Sequence, residues 1–192
     1  MTGIGHNRGP SLAGGQSWRA HCWRRARSEL LPVLPLEVVR LRVRRAKEIG
    51  LDYKTYAGIR ATTGHDLVAF LFSTNALRIL RDGQAVGAAR ADKLAGLKAG
   101  GTMIAAQPPV DPFRLRQILV EQGVAVQAAA RAPGLTDGWA TTRSILTGLL
   151  HEARHPADRV LVVGDTALEA DWAEAGPMAG YLAAERYFGG AA

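Results

Sequence analysis

Four short apolar runs, at residues 67–73, 102–107, 124–129 and 159–164, punctuate the last two-thirds of this 192-residue chain. None shows the polar alternation of a half-exposed strand, and helical stretches lie between and after them, at 75–81, 85–98, 112–122, 141–155, 169–174 and 179–187. Strands that are apolar on both sides need cover on both sides. Parallel neighbours also need a crossover long enough to hold a helix. The pattern predicts an α/β fold: a small parallel four-stranded sheet with helices on both faces. At 47% hydrophobic residues the chain has enough apolar surface for such a core.

The chain ahead of this pattern is different. Residues 1–15 hold five glycines and a proline without periodicity, and read as a flexible tail. From Ser17, read as an N-cap, Trp18, Cys22, Ala26 and Leu30 recur every four residues, and Pro32 ends that helix. Pro35 opens a second helix whose Leu36, Val39, Val43 and Ala46 form one stripe, and Gly50 stops it. Asp52 caps a third helix through about Arg60, closed by Gly64. The expected organisation is a tail (1–15), a basic all-helical module (16–65) and a Rossmann-like α/β domain (66–192). With only four strands to cover, the basic helices are expected to lie over one side of the sheet.

Charge divides the chain at the same place. Residues 1–65 hold 12 of the 24 Lys and Arg but 4 of the 17 Asp and Glu, a balance of +8, whereas the remainder balances at −1. A basic third on a near-neutral body favours a polyanionic partner: nucleic acid, an anionic membrane surface, or an acidic patch on a protein. No run approaches the ~18 apolar residues of a membrane span, and the first ten residues hold no signal-like apolar stretch, so a cytoplasmic protein is expected. The single cysteine, Cys22, cannot form an internal disulfide. No Gly-Lys-Ser/Thr phosphate loop occurs, which argues against a nucleoside-triphosphate motor.

Three motifs bear on chemistry. His151-Glu152-Ala153-Arg154-His155 matches the spacing in which two imidazoles one helical turn apart bind Zn²⁺ with the glutamate as base. Arg154 beside the metal position and Pro156 after the second histidine argue for a helix end instead, with both histidines facing the helix dipole. Val160-Leu161-Val162-Val163-Gly164-Asp165-Thr166-Ala167-Leu168-Glu169 resembles the final acidic motif of the haloacid dehalogenase-like phosphohydrolases, and the Phe72-Ser73-Thr74-Asn75 turn is similar to that family's phosphate-binding strand end. The resemblance covers about residues 66–180. It implies a ligand site at Ser73, Thr74, Asn75, Asp165 and Glu169, with Mg²⁺ as the cofactor and phosphate esters as substrates. The family's Asp-x-Asp pair is missing, and Arg143 stands nearest the place of its lysine. Without the aspartate nucleophile, transfer through an aspartyl phosphate is closed.

The third motif lies in the basic third, where residues 45–59 resemble a helix-turn-helix. Ala46 permits close helix packing, Gly50 takes the positive φ of the turn, and Tyr56 and Ile59 face the core. Tyr53, Lys54, Thr55 and Arg60 are then expected on the surface. The opening Gly3-Ile4-Gly5-His6-Asn7-Arg8-Gly9-Pro10 and the helices after it are also similar to a group of short bacterial proteins, which implies bacterial origin and no activity. The leading reading is a non-enzymatic regulatory or accessory protein. Arg24, Arg25, Arg40, Arg42, Arg44 and Arg45 contact phosphates, with Lys54, Thr55 and Arg60 the candidates for closer contact. No cofactor is expected in that reading. The alternatives are a phosphate-ester hydrolase-like enzyme or degenerate relative using a divalent metal, and a protein that docks into a larger assembly.

Overall fold

The structure is a computed structural model that describes residues 34–98 and 100–189. The expected tail, the helix carrying Cys22, and the candidate contacts Arg24 and Arg25 lie outside the described residues. Residues Arg40–Ala192 form one compact unit. In the other unit, Met1–Val39, the described residues comprise only Leu34, Pro35 and the start of the first helix.

The elements run α1 (Leu36–Glu48), α2 (Tyr53–Thr63), β1 (Ala69–Ser73), α3 (Ala88–Ala95), β2 (Gly101–Ala106), α4 (Pro112–Glu121), β3 (Val126–Arg131), α5 (Trp139–Ala153), a 3₁₀ turn (Ala157–Arg159), β4 (Val160–Gly164), α6 (Ala167–Ala175), β5 (Gly180–Ala183) and α7 (Ala184–Gly189). The local chemistry of the helix ends is legible. Asp52 accepts from the Thr55 amide at 2.9 Å to start α2, and Gly64 closes it at φ 75°. Gly50, between α1 and α2, takes φ 70°. Asp111 caps α4 ahead of Pro112, whose missing N–H costs nothing at that position.

All strands are parallel, in the order β3-β2-β1-β4-β5. The sheet therefore has five strands, one more than the apolar runs predict. The extra strand, β5, lies where a helix over 179–187 is expected. It pairs with β4 from Leu161↔Gly180 to Gly164↔Ala183. A four-residue edge strand with one neighbour and partly exposed side chains carries too little apolar pattern to be recognised. The expected helix over 75–81 is also absent. There the Ser73 hydroxyl takes the Ala76 amide at 3.0 Å, and Arg78 enters the left-handed region at φ 58°, which closes a turn.

Alternation along the central strands sorts two cores. Phe70, Phe72, Ile104, Leu161 and Val163 face one side with Leu115 and Leu119 of α4, Ala91 and Leu94 of α3, and Tyr187 of α7. Ala46, Ile49 and Tyr56, from α1, its end and α2, belong to that same core, so these two helices help cover this side of the sheet. Leu71, Met103, Val160 and Val162 face the other side with Leu146, Leu149 and Leu150 of α5 and Trp172 of α6. No described helix is long and apolar enough to cross a membrane.

Candidate functional site

From β1 the chain steps outward to β2 and β3, then returns to β4 on the opposite side of β1. The connections leaving the C-terminal ends of β1 and β4 diverge, which opens the crevice where sheets of this class receive ligands. All five residues of the expected ligand site lie at these strand ends: Ser73, Thr74 and Asn75 at the end of β1, Asp165 and Glu169 after β4. The fold brings them together across more than 90 residues of sequence, as the 3.1 Å bond from Asn75 Nδ2 to Glu169 Oε1 shows.

What they do there differs from the expectation. Glu169 is wholly buried and sits in the first turn of α6. Its Oε2 accepts the amides of Asp165 (2.5 Å) and Thr166 (2.9 Å), while Oε1 accepts from Asn75 Nδ2 and from Gln107 Nε2 (3.0 Å). The Glu169 amide in turn donates to the Thr166 hydroxyl oxygen at 3.3 Å, completing a capping box. One carboxyl group thus ties the ends of β1, β2 and β4 to the start of α6. Gly164 allows this approach, since a Cβ there would stand 2.8 Å from Glu169 Cβ and Oε2 and from the Tyr181 ring. Ser73 and Thr74 are buried and similarly employed. Ser73 holds the Ala76 amide, and Thr74 Oγ1 accepts the Gln107 amide at 3.0 Å.

Asp165 faces outward to a cation: its Oδ2 lies 2.6 Å from Arg78 Nη1. Magnesium, which the resemblance implies, wants oxygen ligands with open lone pairs. Here N–H donors fill both oxygens of Glu169, the Asn75 amide presents its nitrogen to Glu169, and a guanidinium occupies Asp165. These residues do not fit a divalent cation. Gln107, Arg78 and Arg90, which lies nearby on α3, escaped the sequence reading. Gln107 had a signal, as the polar residue closing an apolar run. The two arginines had none, because their positions depend on the turn after β1 and on the start of α3.

The histidine pair comes apart at the end of α5. Helix α5 stops at Ala153, Arg154 turns left-handed at φ 57°, and His155 leaves the helical line on which His151 stands exposed. His155 Nε2 instead meets Gln127 Oε1 of β3 at 2.5 Å. Among the described residues no three His, Cys, Asp or Glu side chains form a metal-holding group. Burial pushes the His155 pKa below the usual histidine value. A depressed histidine pKa means that the unfolded chain binds the proton first, so this contribution is present above the ordinary pKa and is lost as pH falls below it. Replacing His155 with Gln is expected to flatten the stability profile below about pH 6.5, as read from thermal melts at a series of pH values.

The cations of α1 and α2 sort into two groups. Arg45 Nη2 donates to the Leu67 carbonyl at 2.8 Å, and its Nε lies 3.3 Å from Asp66. Arg60 approaches the same Asp66 at 3.7 Å, and the Tyr56 hydroxyl donates to Asp66 at 2.7 Å. Thr55, expected on the surface, is 7% exposed; it donates to Asp52 and accepts from Arg186 Nη2 at 2.8 Å. Tyr53, also expected outside, packs partly buried against the core. Arg40, Arg44 and Lys54 are exposed, as is Lys47 of α1, and Arg42 is half-buried. In comparisons with known proteins the chain matches no protein-family model, no curated protein and no solved structure.

Proposed function

We propose that the chain is a non-enzymatic accessory or regulatory protein that contacts nucleic acid through the exposed cations of α1 and α2, with the α/β unit as their rigid support. The observation that carries this reading is the sorting of those cations. Arg45 and Arg60 are spent on Asp66, whereas Arg44, Lys47 and Lys54 are exposed and make no ion pair among the described residues. Lysines and arginines presented this way suit phosphates, which supply affinity without sequence information. With Thr55 buried, the second helix of the turn has little left to read base edges. Weak sequence selectivity is the expected consequence. The self-contained bonding of Glu169 and the Arg78–Asp165 pair support a binding role over phosphate-ester hydrolysis.

The test is fluorescence anisotropy of labelled duplex and single-stranded DNA and RNA with the full chain at two salt concentrations. A fragment beginning at residue 66 is a poor control, because it would strip Ile49 and Tyr56 from the core. The triple variant Arg44→Glu, Lys47→Glu and Lys54→Glu is expected to bind at least tenfold more weakly. Its log–log salt slope should be shallower by roughly 2–3, about one per lost phosphate contact. Equal binding by both proteins, or none by either at low salt, overturns the reading and leaves the basic face to an acidic protein. Hydrolysis of a generic phosphoester with Mg²⁺ that Asp165→Asn abolishes would put the hydrolase in its place.

A further inference from the structure

A cavity of about 800 Å³ lies beside the Arg78–Asp165 pair, lined among others by Arg78, Gln84, Arg90, Glu185 and Phe188. Its size is that of a small-molecule site. Two of its walls carry guanidinium groups, and their partners are unequal. Arg78, reaching out from a left-handed backbone, holds Asp165 at 2.6 Å. Arg90 is partly buried, and among the described residues no carboxylate comes within salt-bridge distance of it. Its guanidinium instead lies over the Phe188 ring, 5.0 Å from the centroid. Burial first, then the charge of Arg78, pushes the Arg90 pKa below the usual arginine value, with Asp165 opposing. A cation partly removed from water, facing a second cation and lacking an anion of its own, is an incomplete electrostatic arrangement. An anion entering the cavity would complete it.

We propose that this cavity binds a small phosphomonoester, its phosphate held between Arg78 and Arg90 and its hydroxyl-bearing body against Gln84, Glu185 and Phe188. Guanidinium forks match phosphate oxygens two at a time, which a lysine cannot do. Glu185 would accept hydrogen bonds from sugar hydroxyls, while Gln84 holds the Arg78 turn in place, its Oε1 accepting the Leu80 and Arg81 amides and its Nε2 donating to the Arg78 carbonyl. The Phe188 ring, with the Arg90 guanidinium over it, offers a flat aromatic surface. A nucleoside monophosphate and a sugar phosphate share this chemistry and differ in whether a base reaches the ring. Hydrolysis has no part in the site, which neither borrows Glu169 nor requires a metal.

The experiment is isothermal titration calorimetry on the full chain with inorganic phosphate, adenosine 5′-monophosphate, glucose 6-phosphate and, as the uncharged control, adenosine. Saturable binding of at least one phosphomonoester, with adenosine silent, is expected. Both Arg78→Gln and Arg90→Gln should weaken it at least tenfold, while Arg159→Gln, exposed in the turn before β4, leaves it unchanged. The Arg78 side chain is 59% exposed, so its replacement tests binding without loading the core. Tighter binding of the nucleotide than of the sugar phosphate assigns the ring a stacking role; the reverse order assigns the polyol contacts. The triple variant of α1 and α2 should bind these ligands as the wild type does, which separates this site from the nucleic-acid reading. Absence of binding by all three phosphates, or binding that survives in both Arg78→Gln and Arg90→Gln, overturns the proposal.

Discussion

Glu169→Ala is expected to lower stability by about 4 kcal/mol, the cost of leaving a buried polar cluster without its central acceptor. Four N–H groups lose their partner at once: the amides of Asp165 and Thr166 and the side-chain amides of Asn75 and Gln107. Alanine also leaves a void where the carboxyl group stood, and no water has easy access to a wholly buried position. For a chain of this length the melting temperature should fall by roughly 8–16 °C. Glu169→Gln separates hydrogen bonding from bulk. Its oxygen keeps the two backbone amides, and its NH₂ faces Asn75 and Gln107, whose own amides can turn over to present oxygen. That variant should lose only about 1 kcal/mol. Thermal and urea melts of both proteins check this. An alanine variant as stable as the wild type would show that the cluster holds nothing together. Stabilisation of the wild type by Mg²⁺ that Glu169→Gln abolishes would instead return the acid to metal chemistry.

The second large effect belongs to Tyr187, in the short last helix. Its ring is buried against Phe70 (5.4 Å between centroids), Phe72 (5.3 Å) and Phe188 (4.9 Å), with Lys93 Nζ 4.5 Å from its centre. Tyr187→Ala should cost about 4 kcal/mol, since the ring fills the core beneath β1 and few neighbours can collapse into its place. Tyr187→Phe keeps the ring and loses only a 3.4 Å contact from the hydroxyl to the Ile49 carbonyl, a cost below about 1 kcal/mol.

Tyr187→Phe and the wild type part in alkali. Burial pushes the Tyr187 pKa far above the ordinary tyrosine value, so the unfolded chain releases this proton first. Its contribution is whole below about pH 10 and is lost as pH rises beyond it. Tyr56 and Tyr181 are shifted the same way by burial and by neighbouring carboxylates, and so leave a residual slope. Lys93, whose pKa burial lowers, acts in the opposite direction below its ordinary value. Tyr187→Phe should therefore be less sensitive than the wild type between pH 9.5 and 11, as measured by urea melts. Identical pH profiles would place the Tyr187 hydroxyl in water.

Much of the architecture was legible because it rests on local rules. The unbroken apolar runs carry β1, β2 and β4, the strands that are buried on both sides. Asp52, Gly64, Asp111 and Pro112 mark helix ends through backbone geometry that a few neighbouring residues decide. The weak edge strand β5 was not legible, since pairing with β4 makes its four residues a strand. The same division runs through the site. Ser73, Asn75, Asp165 and Glu169 could be named because they follow apolar runs, where parallel strands deliver side chains to one end of the sheet. Their employment could not. Thr166 and Glu169 have capping-box spacing, yet reading the acid as a metal ligand passed over the local explanation.

Sequence alone determined the class of fold, the apolar cores and the placing of the excess positive charge in the first third of the chain, since composition and periodicity act over a few residues. Only the tertiary structure decided which polar groups are spent and which remain available. That outcome depends on partners far apart in the chain: Asn75 and Gln107 on Glu169, Arg78 on Asp165, Arg45 and Arg60 on Asp66. Hydrogen bonds and ion pairs act over a few ångströms, and no local pattern records which groups the crossovers will bring within that reach.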